Sequence, residues 1–115
     1  MLFLQYPPCS TCQKAKKWLD EHAISYEDRN IKAQNPSYEE LKAWYTASGL
    51  PLKRFFNTSG LAYKALNLKE RLSQMSEEEQ LQLLSSDGML VKRPLLICEN
   101  KILVGFKEAE WSAIL

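Results

Sequence analysis

What most constrains this chain is its opening. A largely apolar run, Leu2 to Tyr6, stops at Pro7-Pro8, and Cys9-Ser10-Thr11-Cys12 follows at once. Beyond it Ala15, Trp18 and Leu19, with His22 extending the stripe, recur at helical spacing while Lys14, Lys16 and Lys17 take the outer face. This reads as a short buried strand, a sharp exit at the prolines, and an amphipathic helix from Thr11 to about His22 whose first turn holds Cys12. Ile24 to Ile31 alternates polar and apolar residues and predicts a second strand, completing a β-α-β unit of parallel, right-handed type.

A C-x-x-C spacing between a strand and a helix start reads as a redox motif. Cys9, at or just before the helix N-terminus, faces free backbone N–H groups and the positive end of the helix dipole, which favour its thiolate. Cys12, within the first turn, is placed to attack an adduct on Cys9 and close a Cys9–Cys12 disulfide. Nucleophile and resolving thiol are the roles this spacing predicts. Two small residues filling a loop is the plainer alternative. A structural zinc would need about four Cys or His ligands, and only Cys98 and His22 remain, so no metal is expected. Cys98 is read as a packed thiol in an interior strand and His22 as an ordinary, partly exposed imidazole.

Downstream, Pro36 and Ser37 with Glu40 three residues on form a capping-box spacing; Leu41, Trp44, Tyr45 and Ser48 share one face, and Gly49 with Pro51 stops the helix. Ser76 and Glu79 repeat the spacing ahead of Leu81 and Leu84, and Asp87-Gly88 ends that element. Residues 36 to 88 are accordingly read as a helical insertion. After Arg93-Pro94, Leu95 to Cys98 and Ile102 to Gly105 flank Glu99-Asn100-Lys101, predicting a β-hairpin, and Lys107 to Leu115 predicts a last helix. The order β-α-β, helices, β-β-α predicts one α/β domain over residues 1–115, with no internal repeat or long linker.

Composition narrows the function. With 115 residues and 45% hydrophobic content the chain can bury a core without disulfide or metal staples. Fifteen basic against fourteen acidic residues leave a net charge of +1, so no general field draws in nucleic acid or an anionic membrane. The N-terminal stretch has no basic region and too few consecutive apolar residues for a signal peptide or span, so a cytoplasmic location is expected. There, three cysteines make a poor disulfide framework. Arg93-Pro94 is the second constellation: an X-Pro bond that can be cis, beside a guanidinium able to fork onto an oxyanion, with a solvated Lys92-Arg93 turn as the plainer reading.

Tyr6-Pro7-Pro8-Cys9-Ser10-Thr11-Cys12 with Lys14, Ala15 and Leu19, the Phe55-Phe56-Asn57-Thr58-Ser59-Gly60 segment, and Lys92-Arg93-Pro94-Leu95 together resemble the arsenate reductase/Spx family over nearly the whole chain. The resemblance implies a thioredoxin-like fold, a glutaredoxin-type β-α-β plus β-β-α mixed sheet with a helical insertion. It aligns Cys9 with the nucleophilic cysteine and Arg93 and Pro94 with the arginine and cis-proline at an oxyanion site. No bound cofactor is implied, only an external thiol reductant, thioredoxin or glutathione with glutaredoxin, and an oxyanion or oxidised thiol as substrate.

The chain also departs from the pattern. Glutathione- and glutaredoxin-linked enzymes of the family carry serine where this chain has Cys12, and two further arginines of theirs fall near Asn57 and Phe106 here. Arg54, Lys64 and Lys107 are the nearby cations expected to substitute in part. The C-x-x-C form is also similar to Spx, which implies the alternative of a redox-sensing regulator acting through the C-terminal domain of the RNA polymerase α-subunit rather than by direct DNA contact.

Overall fold

The computed structural model describes residues 1–114. Four strands form one mixed sheet in the order β2-β1-β3-β4, where β1 is Leu2–Gln5, β2 Glu27–Asn30, β3 Leu95–Ile97 and β4 Ile102–Val104. β1 pairs parallel with β2, while β3 is antiparallel to both β1 and β4. Helix α1, Ser10–Glu21, is the crossover between β1 and β2. Between β2 and β3 lie α2 (Tyr38–Ser48), α3 (Leu61–Ala65), α4 (Leu68–Arg71) and α5 (Glu77–Ser86), joined by short 3-10 turns at Leu52–Phe55, Leu72–Gln74 and Gly88–Leu90; α6, Glu108–Ser112, follows β4. This is the thioredoxin-like topology with its helical insertion.

The sheet separates two apolar layers by its pleat, because successive side chains point to opposite faces. The cross-strand row Leu4, Leu95 and Val104 faces the insertion, packing with Ile31, Leu41, Phe55, Phe56, Leu84 and Leu90. The next row, Phe3, Leu96 and Leu103, faces α1 and α6 and packs with Ala15, Trp18, Leu19 and Trp111. Phe106 and Trp111 meet edge to face at 4.9 Å in that second layer, and Trp18 stacks on His22 at 4.1 Å.

Both expected capping boxes are present. Ser37 Oγ accepts from Glu40 N at 3.1 Å while Glu40 Oε1 accepts from Ser37 N at 3.0 Å, and Ser76 with Glu79 repeats the arrangement at the same distances. Gly49 ends α2 in the left-handed region at φ 68°. Gly88 is held by contact: a Cβ there would lie 1.9 Å from the Ile31 carbonyl oxygen, so the end of the insertion seats its bare backbone on the residue following β2.

Several boundaries differ from expectation. The second strand covers only Glu27–Asn30, a charged edge strand, because Ala23 turns through φ 53° and Ile24 and Tyr26 pack toward the α1 layer first. Cys98 lies just past β3 in the hairpin turn, where its N–H donates to Lys101 O at 2.8 Å, so it is a half-buried turn residue and not an interior-strand one. His22 is exposed on one side, the ring resting on Trp18. The last helix ends at Ser112, and Leu115, the expected end, lies outside the described residues.

Candidate active site

Cys9 is the N-cap of α1, with extended backbone at φ −77° and ψ 120°. Its Sγ accepts a hydrogen bond from Cys12 N at 3.4 Å, the role a Ser or Asp oxygen has at other helix starts. The cap is fixed from behind by Cys9 N, which donates to Tyr6 O at 2.9 Å across the Pro7-Pro8 turn. Cys12 is fully buried beneath it, its Sγ accepting from Tyr6 N at 3.5 Å. Tyr6 thus tethers both cysteines through its main chain. All three cysteines are free thiols.

The two thiols are driven apart electrostatically. Partial burial pushes the Cys9 thiol up, but hydrogen bonding from the Cys12 side chain and main chain and the positive charge of Arg93 outweigh it, so its pKa falls below the ordinary thiol value. Burial, reinforced by the neighbouring Cys9, pushes Cys12 up to about 12. Of the two, the outer sulfur is the one that ionises more readily. Burial also raises Cys98, outweighing the opposing charges of the N-terminal amine and Lys101.

Arg93 precedes a cis peptide bond to the buried Pro94, whose carbonyl accepts from Gly105 N at 2.8 Å. The guanidinium sits over the Tyr6 ring, 5.3 Å from its centroid, and Lys32 approaches the same ring at 5.8 Å. Nε and Nη1 of Arg93 are buried without a hydrogen-bond partner among the described residues. Buried donors of this kind are costly when unpaired, and the same arginine brings its positive charge to the site.

Cys9 and Arg93 open onto one cavity of about 610 Å³. Its opposite wall is the segment from Asn57 to Ala62, held beside the Asp87–Arg93 segment by main-chain bonds from Asn57 N to Leu90 O and from Lys92 N to Phe55 O, both 2.8 Å. Of the four sequence-selected residues, the structure brings Cys9 and Arg93 to this cavity, stacks Cys12 under Cys9, and places Pro94 behind Arg93. Asn57 does face the cavity. Phe106, by contrast, is packed into the aromatic layer against Trp18 and Trp111.

The expected substitute cations are not at the site: Arg54, Lys64 and Lys107 do not line the cavity, whereas Lys92 does, together with an acidic residue, Asp87. Sequence reasoning missed Asp87 because it served as a helix stop, which it also is, its Oδ1 accepting from Met89 N at 2.9 Å. It missed the ring of Tyr6 beneath Arg93 because nothing in the spacing links residues so far apart. Among the described residues no cluster of three or more His, Cys, Asp or Glu is placed to hold a metal ion, and no helix is long and apolar enough to cross a membrane.

The ArsC family model matches residues 4–114. The chain is 59% identical over 111 residues to the uncharacterized protein YusI of Bacillus subtilis, covering 96% of this chain and 94% of that one. It is 31% identical over 110 residues to the regulatory protein MgsR of the same organism, covering 96% and 86%. A solved structure described as a possible arsenate reductase from Streptococcus mutans superimposes with a TM-score of 0.91 at 47% identity, covering 99% of this chain and 97% of the other. A redox-type cysteine pair at the start of α1, the sheet order and a match spanning all but the chain ends agree, and the protein belongs to the ArsC family.

Proposed function

We propose that the protein is a thiol-dependent oxidoreductase in which Cys9 is the nucleophile and Cys12 the resolving thiol, working in the cytoplasm with an external thiol reductant. The observation that carries this reading is the stacking of the two thiols at the start of α1: Cys9 caps the helix at the cavity beside Arg93, its Sγ 3.4 Å from Cys12 N, and Cys12 is fully buried beneath it. A thiolate attacks, and the deeper thiol waits.

The chemistry then runs in two steps. The Cys9 thiolate attacks the oxidised substrate, and an anionic substrate or leaving group is held by the guanidinium of Arg93. Once Cys9 is capped, the negative charge that reinforced burial in holding the Cys12 proton is gone; Cys12 gives the proton to water and attacks the Cys9 sulfur, closing a Cys9–Cys12 disulfide. The substrate leaves with two more electrons than it brought, and thioredoxin, or glutathione with glutaredoxin, returns the disulfide to two thiols.

Arsenate is one substrate this scheme admits: Cys9 would displace one oxygen as water, and Cys12 attack would release arsenite. Among the described residues, only Arg93 and Lys92 supply cations at the cavity, and Asp87 opposes them. The test is arsenate- or disulfide-dependent NADPH oxidation with each recycling system. Turnover abolished by Cys9→Ser and stalled after one addition by Cys12→Ser supports the reading, and full turnover in Cys9→Ser refutes it.

A second reading is favoured by the likeness to MgsR, a regulatory protein. Here disulfide formation would withdraw the Cys12 sulfur from Tyr6 N and repack the start of α1, changing affinity for a protein target such as the C-terminal domain of the RNA polymerase α-subunit. Equal binding of that domain by oxidised and reduced protein would remove this reading.

A further inference from the structure

Resting on the thiol-exchange reading above, we propose that the oxidised substrate facing Cys9 is a peptidyl disulfide, an oxidised cysteine within a polypeptide segment, rather than an inorganic oxyanion. Size is the first argument. A tetrahedral anion of five heavy atoms displaces only about two or three waters, at ~30 Å³ each. The cavity of about 610 Å³ is on the scale that receives organic ligands.

Charge is the second argument. With Cys9 as thiolate, the cavity carries two negative groups, Cys9 and Asp87, against two positive ones, Lys92 and Arg93. These four charges cancel, so a dianion arriving there gains attraction only from the N-terminus of α1, whereas a peptide without strong net charge meets no repulsion. Asn57 and the hydroxyls of Thr11 and Ser59 add neutral donors and acceptors suited to peptide amides.

The third argument is apolar. Leu61, the first residue of α3, stands 87% exposed at this cavity, against 47% for Met1 and 38% for Leu66, the other exposed large hydrophobics among the described residues. Met89 and Ala62 line the same wall. An inorganic anion has nothing to bury against Leu61, but an aliphatic side chain next to an oxidised cysteine does.

The exchange balances without any further reagent in its first stages. The Cys9 thiolate attacks one sulfur of the substrate disulfide, that S–S bond breaks, and the second sulfur leaves as a thiolate and takes a proton from water. Cys12 then gives up its proton and attacks the Cys9 sulfur, releasing the first substrate thiolate. The substrate gains two electrons, and Cys9 and Cys12 lose two in forming their disulfide, which an external dithiol protein reduces.

The experiment uses the full-length protein carrying Cys12→Ser and Cys98→Ser, so that Cys9 alone reacts and only the first step occurs, and 2-thiopyridyl mixed disulfides whose leaving group is read by absorbance. The probes are a methyl disulfide and short cysteine peptides with leucine or serine beside the cysteine, each rate divided by that with a free small thiol. The leucine peptide is expected to exceed the methyl probe about tenfold, an advantage that Leu61→Ser lowers severalfold. Asp87→Asn, which keeps the Oδ1 cap, is expected to speed a glutamate-bearing peptide and slow a lysine-bearing one by about two- to fivefold. Equal corrected rates for peptide and methyl probes, or a leucine advantage untouched by Leu61→Ser, would overturn the proposal. Failure of Cys9 to react even with the methyl probe would instead overturn the thiol-exchange reading beneath it.

Discussion

Replacing Glu40 by Gln isolates the ion pair that ties the edge strand β2 to the insertion. Arg29 donates from Nη1 and Nη2 to the two Glu40 oxygens at 2.7 and 2.9 Å, and its remaining donors reach the carbonyls of Gln34 at 2.9 Å and Asn35 at 3.2 Å. Those bonds, with the Ser37 main-chain N–H, hold the Glu40 carboxyl at about 2 against an ordinary 4.5. At ~1.36 kcal/mol per pH unit, that difference sets a ceiling of about 3 kcal/mol. The Glu40 side chain is 36% exposed, so solvent screening reduces the contribution to about 1–2 kcal/mol.

Because the folded value is the lower one, this stability is fully present above pH 4.5 and is lost as pH falls toward 2. Urea unfolding of the natural protein and Glu40→Gln from pH 7 to pH 2.5 checks it. The midpoints should differ by about 1 M at pH 7 and converge as the pH drops, because the other carboxylates are common to both proteins. A difference that stays constant with pH, or no difference at pH 7, would refute the reasoning.

Two further outcomes follow from other parts of the molecule. Gly88→Ala forces a methyl into the Ile31 carbonyl and should cost about 1–3 kcal/mol or more in thermal or urea unfolding, since the obstacle is backbone on both sides. Tyr6→Leu removes the ring under Arg93 and should raise the Cys9 pKa, read from the pH dependence of alkylation in a Cys98→Ser background, while Tyr6→Phe, which keeps a ring, stays at the parent value.

What could be read in the sequence was whatever is set by neighbours along the chain. The two capping boxes, the strand ending at Pro7-Pro8 and the helix that Cys9 caps are interactions within three or four residues, so spacing reveals them. The cavity is of another kind. Asp87 and Lys92 lie across from Asn57 because Phe56 and Val91 form a single antiparallel bridge inside a region without strand-like alternation. The overlong reading of Ile24 to Ile31 has a similar origin: Ile24 and Tyr26 share one face of the alternation and pack toward α1, and Ile31 falls on the other and enters the other layer, yet only Glu27–Asn30 between them pairs as strand. Phe106 stands where the resemblance has an arginine, and only the structure shows that packing against Trp18 and Trp111 holds it there.

The central claim, that Cys9 attacks and Cys12 resolves, is tested most directly by following both sulfurs at once. The reduced protein is alkylated across pH 5 to 10 and, separately, treated with one equivalent of a disulfide oxidant, with each cysteine located by peptide mass spectrometry. The account predicts that Cys9 is modified first, at a pH below the ordinary thiol range, that Cys12 resists alkylation, and that the oxidised protein carries a Cys9–Cys12 disulfide with Cys98 free. Alkylation of Cys12 or Cys98 ahead of Cys9, or an oxidised product in which the oxidant stays on Cys9 beside a free Cys12, would contradict it.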